Sequence, residues 1–398
     1  MNILVVPTTD WTHNPTPNRL NFICDRLSER GHDVDVIHFK MGCYKNTSPR
    51  DTKCNLIPVH GFDIDDHSLY YILNTPFIIK TILNATKTKK YDVIVAANIL
   101  PAFYSNFVGI PVVHDYLDHW EESASACYPD SRTKSKVVGW CVNKISKYNL
   151  MHATSIITVS DELRWMIIDK FFCLCDKSKK TPKITVISNG VDTSAIYSID
   201  KEDAKHMLDI GDYFVIGYVG ALESWVDFET LFDKIRGIGA RNIKMLIVGS
   251  SLYGDYESYL KYLVKTKKAT RYVIFTGPVK YSELYKYISA MDVGVNPLKP
   301  MIKNSYALGG KIFNYLSCGV PVLSTYGDSI GKLAAKYPNT IYFPRNGDFV
   351  TSAVEIPPST EDIRTYRRAV AKKFDWNVIT DSYEKVLELA SSGVIDNG

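Results

Sequence analysis

A glycine pair followed by a lysine is the group of residues with the clearest capacity for chemistry. Gly309 and Gly310 precede a helix-like segment that starts at Lys311 and ends at Cys318-Gly319, and an apolar strand follows. A helix that begins at glycine leaves backbone N–H groups uncovered at the positive end of the helix dipole, which favours a bound anion. Lys311 adds a full charge there. The segment predicts a phosphate site, with an ordinary loop, helix and strand as the alternative.

A second polar group follows an apolar strand in the first half of the chain. The run IPVVH (110–114) is typical of a buried strand, and it leads directly into DYLDHWEE. His114, Asp115, Asp118 and His119 therefore lie at or just beyond a strand's carboxyl end, where doubly wound folds bind ligands. A capped loop with solvated acids is the alternative. A metal site is another, although the spacing is not diagnostic of one.

Length and composition limit the protein class. A chain of 398 residues is too long for a single core, which predicts two domains. No apolar run reaches the length of a membrane span, and MNILVVPTTD indicates a strand, not a signal peptide. Eight scattered cysteines without CxxC pairs predict free thiols in a reducing cytoplasm, with no metal site or disulfide framework. The net charge is only +4 and the basic runs match no recognised motif, so nucleic acid is not an expected partner.

Alternating apolar strands and helical patterns predict an α/β fold. Strand 2–7, a helix beginning near Pro17 or Asn18, and strand 34–39 form a βαβ unit without GxGxxG, which argues against a standard dinucleotide site. The pattern loses order between Asp192 and Tyr213, and a second alternation then begins. We therefore expect two parallel-sheet domains whose carboxyl edges face each other across a cleft.

Nine short motifs occur in an order that resembles GT-B glycosyltransferases. More narrowly, they resemble the large retaining family that includes cell-surface sugar transferases and sucrose synthase. The motifs are GHDV (31–34), PVVHD (111–115), ITVS (157–160), VISNGVD (186–192), IGYVGAL (216–222), MLIVG (245–249), FTGPV (275–279), CGVPVLST (318–325) and FDWNVITDSYEKV (374–386).

The resemblance implies a domain organisation. It predicts two Rossmann-like, doubly wound parallel-sheet domains facing a central cleft. Residues 1–193 would form the acceptor-binding domain and residues 194–377 the nucleotide-sugar-binding domain. Residues 378–391 would form a helix that crosses back to the N-terminal domain.

The resemblance also implies a donor site and shows two departures from the family pattern. Ala221 and Trp225-Val226 stand where the wider family has a basic residue and a Lys-Gly pair that hold phosphate. Asn314 stands where a glutamate would accept the ribose hydroxyls, and an amide oxygen does so without charge assistance. The implied donor-binding residues are Gly220, Ala221, Trp225, Gly249, Pro278, Val279, Asn304, Ser305, Gly309, Gly310, Lys311 and Asn314.

The implied activity is transfer of a sugar, with retention, from a UDP- or GDP-sugar. His114 matches the histidine that faces the donor sugar, and Lys311 would stabilise the departing diphosphate, so these two are the predicted catalytic residues. The predicted acceptor-binding residues are Asp10, Asn18, Asp115 and Asp118. No metal is implied, and no cofactor is expected beyond the nucleotide-sugar co-substrate. Asn314 leaves open a catalytically degenerate GT-B subunit that binds a partner transferase; an epimerase is a third alternative.

A basic helical segment, 131–152, bears on the acceptor. Its stripe of Val137, Val138, Cys141, Ile145 and Tyr148 runs beside Lys134, Lys136, Lys144 and Lys147, with Trp140 among them. Such a stripe faces either the core or an anionic membrane surface. The second alternative predicts a cytoplasmic protein with peripheral contact at the inner membrane face. A glycan or lipid-linked acceptor in cell-surface polysaccharide synthesis would suit that location.

Overall fold

The computed structural model describes residues 1–14, 17–44, 47–126, 131–173, 181–236, 242–251 and 255–393. The chain divides into two compact units. The first unit is Met1–Ser188 together with Asn377–Gly398, and the second is Asn189–Trp376. The boundaries expected from the sequence, after residues 193 and 377, lie near these positions.

Each unit is built on one parallel sheet. The first sheet has seven strands in the order β3-β2-β1-β4-β5-β6-β7, and the second has six in the order β10-β9-β8-β11-β12-β13. The strands are β1 (Asn2–Val6), β2 (Asp33–His38), β3 (Asn55–Pro58), β4 (Val93–Ala97), β5 (Val112–Tyr116), β6 (Ser155–Thr158), β7 (Lys183–Val186), β8 (Phe214–Val219), β9 (Ile243–Val248), β10 (Val273–Gly277), β11 (Val293–Asn296), β12 (Val322–Ser324) and β13 (Ile341–Tyr342).

Helices connect successive strands. They are α1 (Arg19–Glu29), α2 (His67–Thr88), α3 (Ile99–Ser105), α4 (Trp120–Ala126), α5 (Arg132–His152), α6 (Asp161–Ile167), α7 (Lys201–Met207), α8 (Phe228–Lys234), α9 (Tyr256–Thr266), α10 (Leu284–Ser289), α11 (Ile302–Tyr306), α12 (Gly310–Ser317), α13 (Asp328–Lys336), α14 (Phe349–Glu355), α15 (Glu361–Lys372) and α16 (Trp376–Ser391).

The strand order is that of doubly wound folds. In both sheets the order reverses beside the first strand of the unit, between β1 and β4 and between β8 and β11. Ligands of such folds bind at this reversal, outside the carboxyl ends of the strands. The central strands are buried along almost their whole length, as parallel strands covered on both faces are. The predicted α/β fold with two parallel sheets is therefore confirmed.

Some elements were absent from the sequence prediction. β3 is short and largely exposed, α2 contains Pro76, and α7 occupies part of the interval that lacked periodicity. Short elements span too few periods for a hydrophobic pattern to emerge. Within the described part of the chain no helix is both long and apolar enough to span a membrane. The cysteines there are free thiols, while Cys127 and Cys175 lie outside the described residues.

A buried ion pair joins several elements of the first unit. Arg19, the first residue of α1, and Asp115 of β5 are both buried, and Arg19 Nε lies 3.4 Å from Asp115 Oδ2. Arg19 Nη1 also donates to the carbonyl of Ile187, at 3.0 Å. Its guanidinium lies 5.9 Å from the centroid of the Tyr383 ring on α16. One cation therefore contacts β5, the segment after β7 and the last helix.

We expect Asp115→Asn to lower the free energy of unfolding by about 3 kcal/mol, because it leaves the Arg19 charge buried without its counter-ion. Denaturant unfolding followed by circular dichroism measures this loss. The same substitution at exposed Asp51 is the matched control and should change little. Equal effects at the two positions would contradict the assigned importance of the ion pair.

Candidate functional site

Two glycines draw the ends of three strands together in the second unit. Gly220 follows β8 and Gly249 follows β9, with φ of +135° and +136°. The N–H of Gly220 donates to Val248, and that of Gly249 donates to Gly277, each at 3.0 Å. A Cβ at Gly249 would lie 2.1 Å from the carbonyl oxygen of Gly220. Only glycine permits this approach, so backbone groups line the carboxyl edge of β8, β9 and β10.

The start of α12 has no side-chain cap, and the loop before it is held by a side-chain amide. Gly309 is its N-cap residue, and within the described residues no side chain caps the first turn. Asn189 Nδ2 donates to the carbonyl of Leu308 at 2.9 Å, which fixes the preceding loop. The first N–H groups of a helix have no intrahelical acceptor, so this end is suited to an anion.

Lys311 extends from α12 to the end of β8. Its Nζ donates to the hydroxyl of Tyr218 at 2.9 Å and lies 4.1 Å from that ring's centroid. The Tyr218 hydroxyl in turn donates to the carbonyl of Ala221 at 2.7 Å. A Cβ at Gly220 would lie 3.3 Å from Lys311 Nζ, so the ammonium lies directly against the glycine loop. The lysine thus bridges α12 and the end of β8, one of the two strands that flank the reversal of strand order.

The ammonium of Lys311 has no counter-ion, because no carboxylate of the described residues forms an ion pair with it. Although the residue keeps part of its surface exposed, its ammonium is shielded, and this desolvation lowers the pKa of Lys311 to about 7. A lysine in this state binds an anion favourably, because the anion replaces the interactions with water that the charge has lost.

Asn314 lies one turn after Lys311 on the same half-buried face of α12. Tyr315, the next residue, is buried, and its hydroxyl accepts from the N–H of Val219 at 2.8 Å. Its ring occupies the space that a side chain at Gly294 would need, since a Cβ there would lie 2.5 Å from it. Tyr315 therefore fixes the rotation of α12 and presents Lys311 and Asn314 together.

Trp225 faces a lysine from another element. Nζ of Lys303, a buried residue of α11, lies 4.2 Å from the centroid of the Trp225 ring, which is a cation–π distance. Asn304 Nδ2 donates to the carbonyl of Lys299 at 2.8 Å, so its amide stabilises the loop before α11. The Trp225 ring therefore has a lysine ammonium above it.

The other predicted donor residues have fewer distinguishing contacts. Ser305 is half-buried, and its carbonyl packs near the position a Cβ would take at Gly327. Pro278 is exposed and Val279 is half-buried, both directly after β10. Pro278 and Val279 lie at the same sheet edge as Gly249. Donor contact stays a prediction for Ser305, Pro278 and Val279.

His114 is buried in the first unit. Its Nε2 lies 3.1 Å from the carbonyl oxygen of Asn98, to which it must donate because a carbonyl only accepts. Nδ1 then carries the lone pair, and it has no partner among the described residues. Burial lowers the pKa of His114 to about 4, so the imidazole is neutral at physiological pH. It can accept a hydroxyl proton in a hydrogen bond, but it is not a general acid at neutral pH.

The predicted acceptor residues all have contacts within the first unit. Asn18 caps α1, accepting from the N–H of Leu20 and Asn21. Asp118 accepts from His119 N–H and from the Ser123 hydroxyl. Asp115 pairs with Arg19, as described, and acceptor contact stays a prediction for each.

Asp10 is also buried, with both carboxylate oxygens engaged by the protein. Its acceptor role likewise stays a prediction. His114, Asp115, Asp118 and His119 do not form a metal-ligand group in the described ranges.

Sequence reasoning missed Tyr218 and Lys303. Tyr218 lies in the motif IGYVGAL, and a hydroxyl two residues before a strand-end glycine was the available signal. Lys303 had no signal in the motif pattern, because its relation to Trp225 depends on the path of the loop before α11.

Two family models match the chain. Residues 19–195 match Glycosyltransferase Family 4, and residues 213–355 match Glycosyl transferases group 1. TuaH of Bacillus subtilis, which carries the name of a teichuronic acid biosynthesis glycosyltransferase, is 23% identical over 275 residues. The match covers 67% of this chain and 64% of TuaH, so the chain spans less than two thirds of that relative.

Solved structures show the same fold at low identity. Sucrose-phosphate synthase from Thermosynechococcus elongatus has a TM-score of 0.79 at 16% identity, covering 99% of this chain and 100% of that one. Anabaena HepE in complex with UDP has a TM-score of 0.68 at 17% identity, covering 98% and 100%. The two parts of the chain thus match glycosyltransferase models of family 4 and group 1, and the fold is that of GT-B glycosyltransferases.

Proposed function

We propose that the protein transfers a sugar from a UDP- or GDP-sugar to a glycan or lipid-linked acceptor in the synthesis of a cell-surface polysaccharide or glycoconjugate. The observation that carries the proposal is the desolvated, unpaired ammonium of Lys311 at the start of α12, beside the Gly220 loop. A diphosphate is the anion that best matches this charge and the adjacent backbone N–H groups. The UDP complex of HepE and the name of TuaH support the donor class and the cell-surface acceptor.

The leaving group explains most of the catalysis in this proposal. As the bond between the sugar's anomeric carbon and the diphosphate breaks, negative charge develops on the diphosphate, and Lys311 stabilises it in a desolvated environment. The acceptor oxygen bonds to the same carbon on the same face, and its proton passes to the departing diphosphate. No protein nucleophile and no metal ion at the donor is required, and the product retains its anomeric configuration.

His114 has a positioning function in this scheme. Its unpartnered Nδ1 would accept a hydrogen bond from a substrate hydroxyl, while Asn98 holds its Nε2–H. A neutral imidazole suits that task, since a hydroxyl then donates into a site that carries no competing charge.

A second function is favoured by one observation, the amide at Asn314. Without a carboxylate for the ribose, the chain would be a catalytically degenerate GT-B subunit that binds a partner transferase. Calorimetry with UDP- and GDP-sugars separates the two functions, because only the enzyme binds a donor at millimolar concentration. Release of UDP or GDP from a panel of nucleotide sugars then identifies the substrate.

Donor affinity should depend on pH through Lys311. The free ammonium has a pKa of about 7, and a bound diphosphate raises it. Donor affinity is therefore maximal below about pH 7. Above that pH it should fall by up to about tenfold per pH unit, because binding then requires Lys311 to take up a proton. Calorimetry with a nucleotide sugar in buffers of different ionisation enthalpy measures that uptake. The diphosphate of the nucleotide sugar is a diester and does not itself titrate in this pH range.

Lys311→Arg is the matched control for this pH dependence. A guanidinium stays charged throughout, so binding by this variant should be nearly independent of pH between about 7 and 9. Lys311→Gln should bind weakly at every pH. Wild-type binding without proton uptake would contradict the assignment of Lys311 to the diphosphate.

Turnover should fall at least about a hundredfold in Lys311→Ala, because a group that stabilises transition-state charge is lost. The ratio kcat/KM, from nucleotide release, is the measurement, and Lys336→Ala at an exposed lysine of the same unit is the control. Near-normal kinetics of Lys311→Ala would refute the catalytic role.

Asn314→Glu should tighten donor binding by about 1 kcal/mol if the position receives the ribose.

Helix α5 supports contact with an anionic membrane as part of this function. Its predicted apolar stripe does not face the core throughout: Val137 is 56% exposed and Cys141 is exposed. Trp140, 63% exposed, lies on this surface with Lys144 Nζ 5.7 Å from its ring centroid. Exposed Lys134, Lys136, Lys144 and Lys147 surround these side chains. An aromatic and basic surface of this kind suits a lipid headgroup region.

Replacing Lys136 and Lys144 together by glutamine should weaken partitioning onto phosphatidylserine vesicles by about 2 kcal/mol, since each lysine near such a surface contributes about 1 kcal/mol. Vesicle flotation at fixed ionic strength measures the change. The same double substitution at exposed Lys87 and Lys90, in the same unit, is the control. Wild-type protein that does not float with these vesicles would remove the membrane proposal.

A further inference from the structure

We propose a divalent transition-metal site, best suited to Zn²⁺, formed by Asp10, His13, His38 and Thr12 in the first unit. The site shares no residue with the proposed donor site, so either proposal can fail without the other. Asp10, Thr12 and His13 lie in the loop after β1, and His38 is the last residue of the neighbouring parallel strand β2. These residues therefore meet at the carboxyl edge of the sheet.

Five of the six separations between the donor atoms are 3.0–3.5 Å, close to those of a tetrahedral metal shell. Asp10 Oδ1 lies 3.2 Å from His13 Nδ1 and 3.2 Å from His38 Nε2. Thr12 Oγ1 completes the group, at 3.0 Å from His13 Nδ1, 3.4 Å from His38 Nε2 and 3.5 Å from Asp10 Oδ1. The ligand atoms of Asp10, His13 and His38 all lie within 4.8 Å of one another. Zinc bonds of about 2.0–2.1 Å place tetrahedral ligand atoms about 3.3 Å apart.

The chemistry of the donors selects the metal. Two imidazoles and one carboxylate form a borderline ligand set that suits zinc and related transition metals, whereas magnesium and calcium prefer oxygen alone. The Thr12 hydroxyl, or a water molecule in its place, takes the fourth position. One carboxylate beside a doubly charged ion leaves the site with a net charge of about +1. The desolvation cost of this charge is small at a partly exposed position.

The carboxylate is held for this function by the backbone. Asp10 Oδ1 accepts from the N–H of Thr12 at 3.1 Å and of His13 at 2.9 Å, and Oδ2 accepts from Met41 N–H at 3.3 Å. These backbone donors fix the orientation of the carboxylate, so that Oδ1 faces the ring nitrogens of both histidines.

The site is both ordered and accessible. Trp11, between two of the ligands, is 1% exposed, and Arg50 donates to its carbonyl. The His13 side chain keeps 25% of its surface exposed and that of His38 keeps 16%, while Asp10 keeps 1%. A metal ion can therefore enter past the histidines and bind ligands that need little rearrangement. A bound ion would join the β1–α1 loop to the end of β2.

Calorimetric titration of chelator-treated protein with ZnCl₂ tests the proposal. We expect one high-affinity equivalent per chain, and visible d–d absorption typical of tetrahedral coordination when CoCl₂ is used instead. His13→Gln should weaken zinc binding at least about tenfold, and His38→Gln should do the same. His206→Gln, at an exposed histidine of the second unit, is the matched control and should bind as the wild type does.

Folding and metal binding are followed by separate measurements. His13 lies in a loop with its side chain partly exposed, so His13→Gln is the deciding variant, and circular dichroism confirms its fold before titration. At the same zinc concentration, zinc should raise the Tm of the wild type more than that of His13→Gln. Failure of the wild type to bind, or unchanged affinity in folded His13→Gln, would overturn the site. The four residues would then form a hydrogen-bonded cluster around Asp10 only.

Discussion

The second unit depends on a lysine ammonium that is held away from water without a carboxylate beside it. Such a charge is costly unless nearby dipoles compensate for it, and here the Tyr218 hydroxyl and ring supply the compensation. This arrangement constrains the neighbouring residues. Gly220 must leave room for the lysine, and Gly249 must leave room for Gly220. The glycine loop, the tyrosine and the lysine are therefore one structural feature.

The sequence predicted the sheets of the fold more fully than it predicted the contacts of Lys311. Continuous apolar runs such as those of β1, β4 and β8 predicted the parallel sheets, because strands buried on both faces need no alternation. The glycine pair and Lys311 were predicted as site residues because their signal, a glycine-opened helix followed by a lysine, lies in consecutive residues. Tyr218 was missed, since its partner lies 93 residues further along the chain and only the sheet order brings them together. Lys303 was missed for the same reason, as its ring partner belongs to a different loop.

In the first unit, residue type and position in the sequence did not decide the role of the polar residues at strand ends. Asp10, Asp115 and Asp118 were predicted to contact an acceptor because they follow or end strands. All three accept or pair with groups of the protein itself: backbone N–H groups, an arginine and a serine. A carboxylate at a sheet edge can close a loop or bind a ligand, and residue type and spacing do not distinguish these roles. The burial of the carboxylate and the identity of its partners bear on this distinction, and both depend on the three-dimensional fold.

The path of the chain carries a consequence for its synthesis. Residues from Asn377 onward belong to the first unit, so the whole second unit is inserted between β7 and α16. A ribosome therefore releases the second unit before it supplies the helix that brings Tyr383 to the Arg19 guanidinium. Until then the nascent first unit lacks one wall of its core around a buried charge. We expect the inserted unit to complete its folding first, although the first unit begins earlier in the chain.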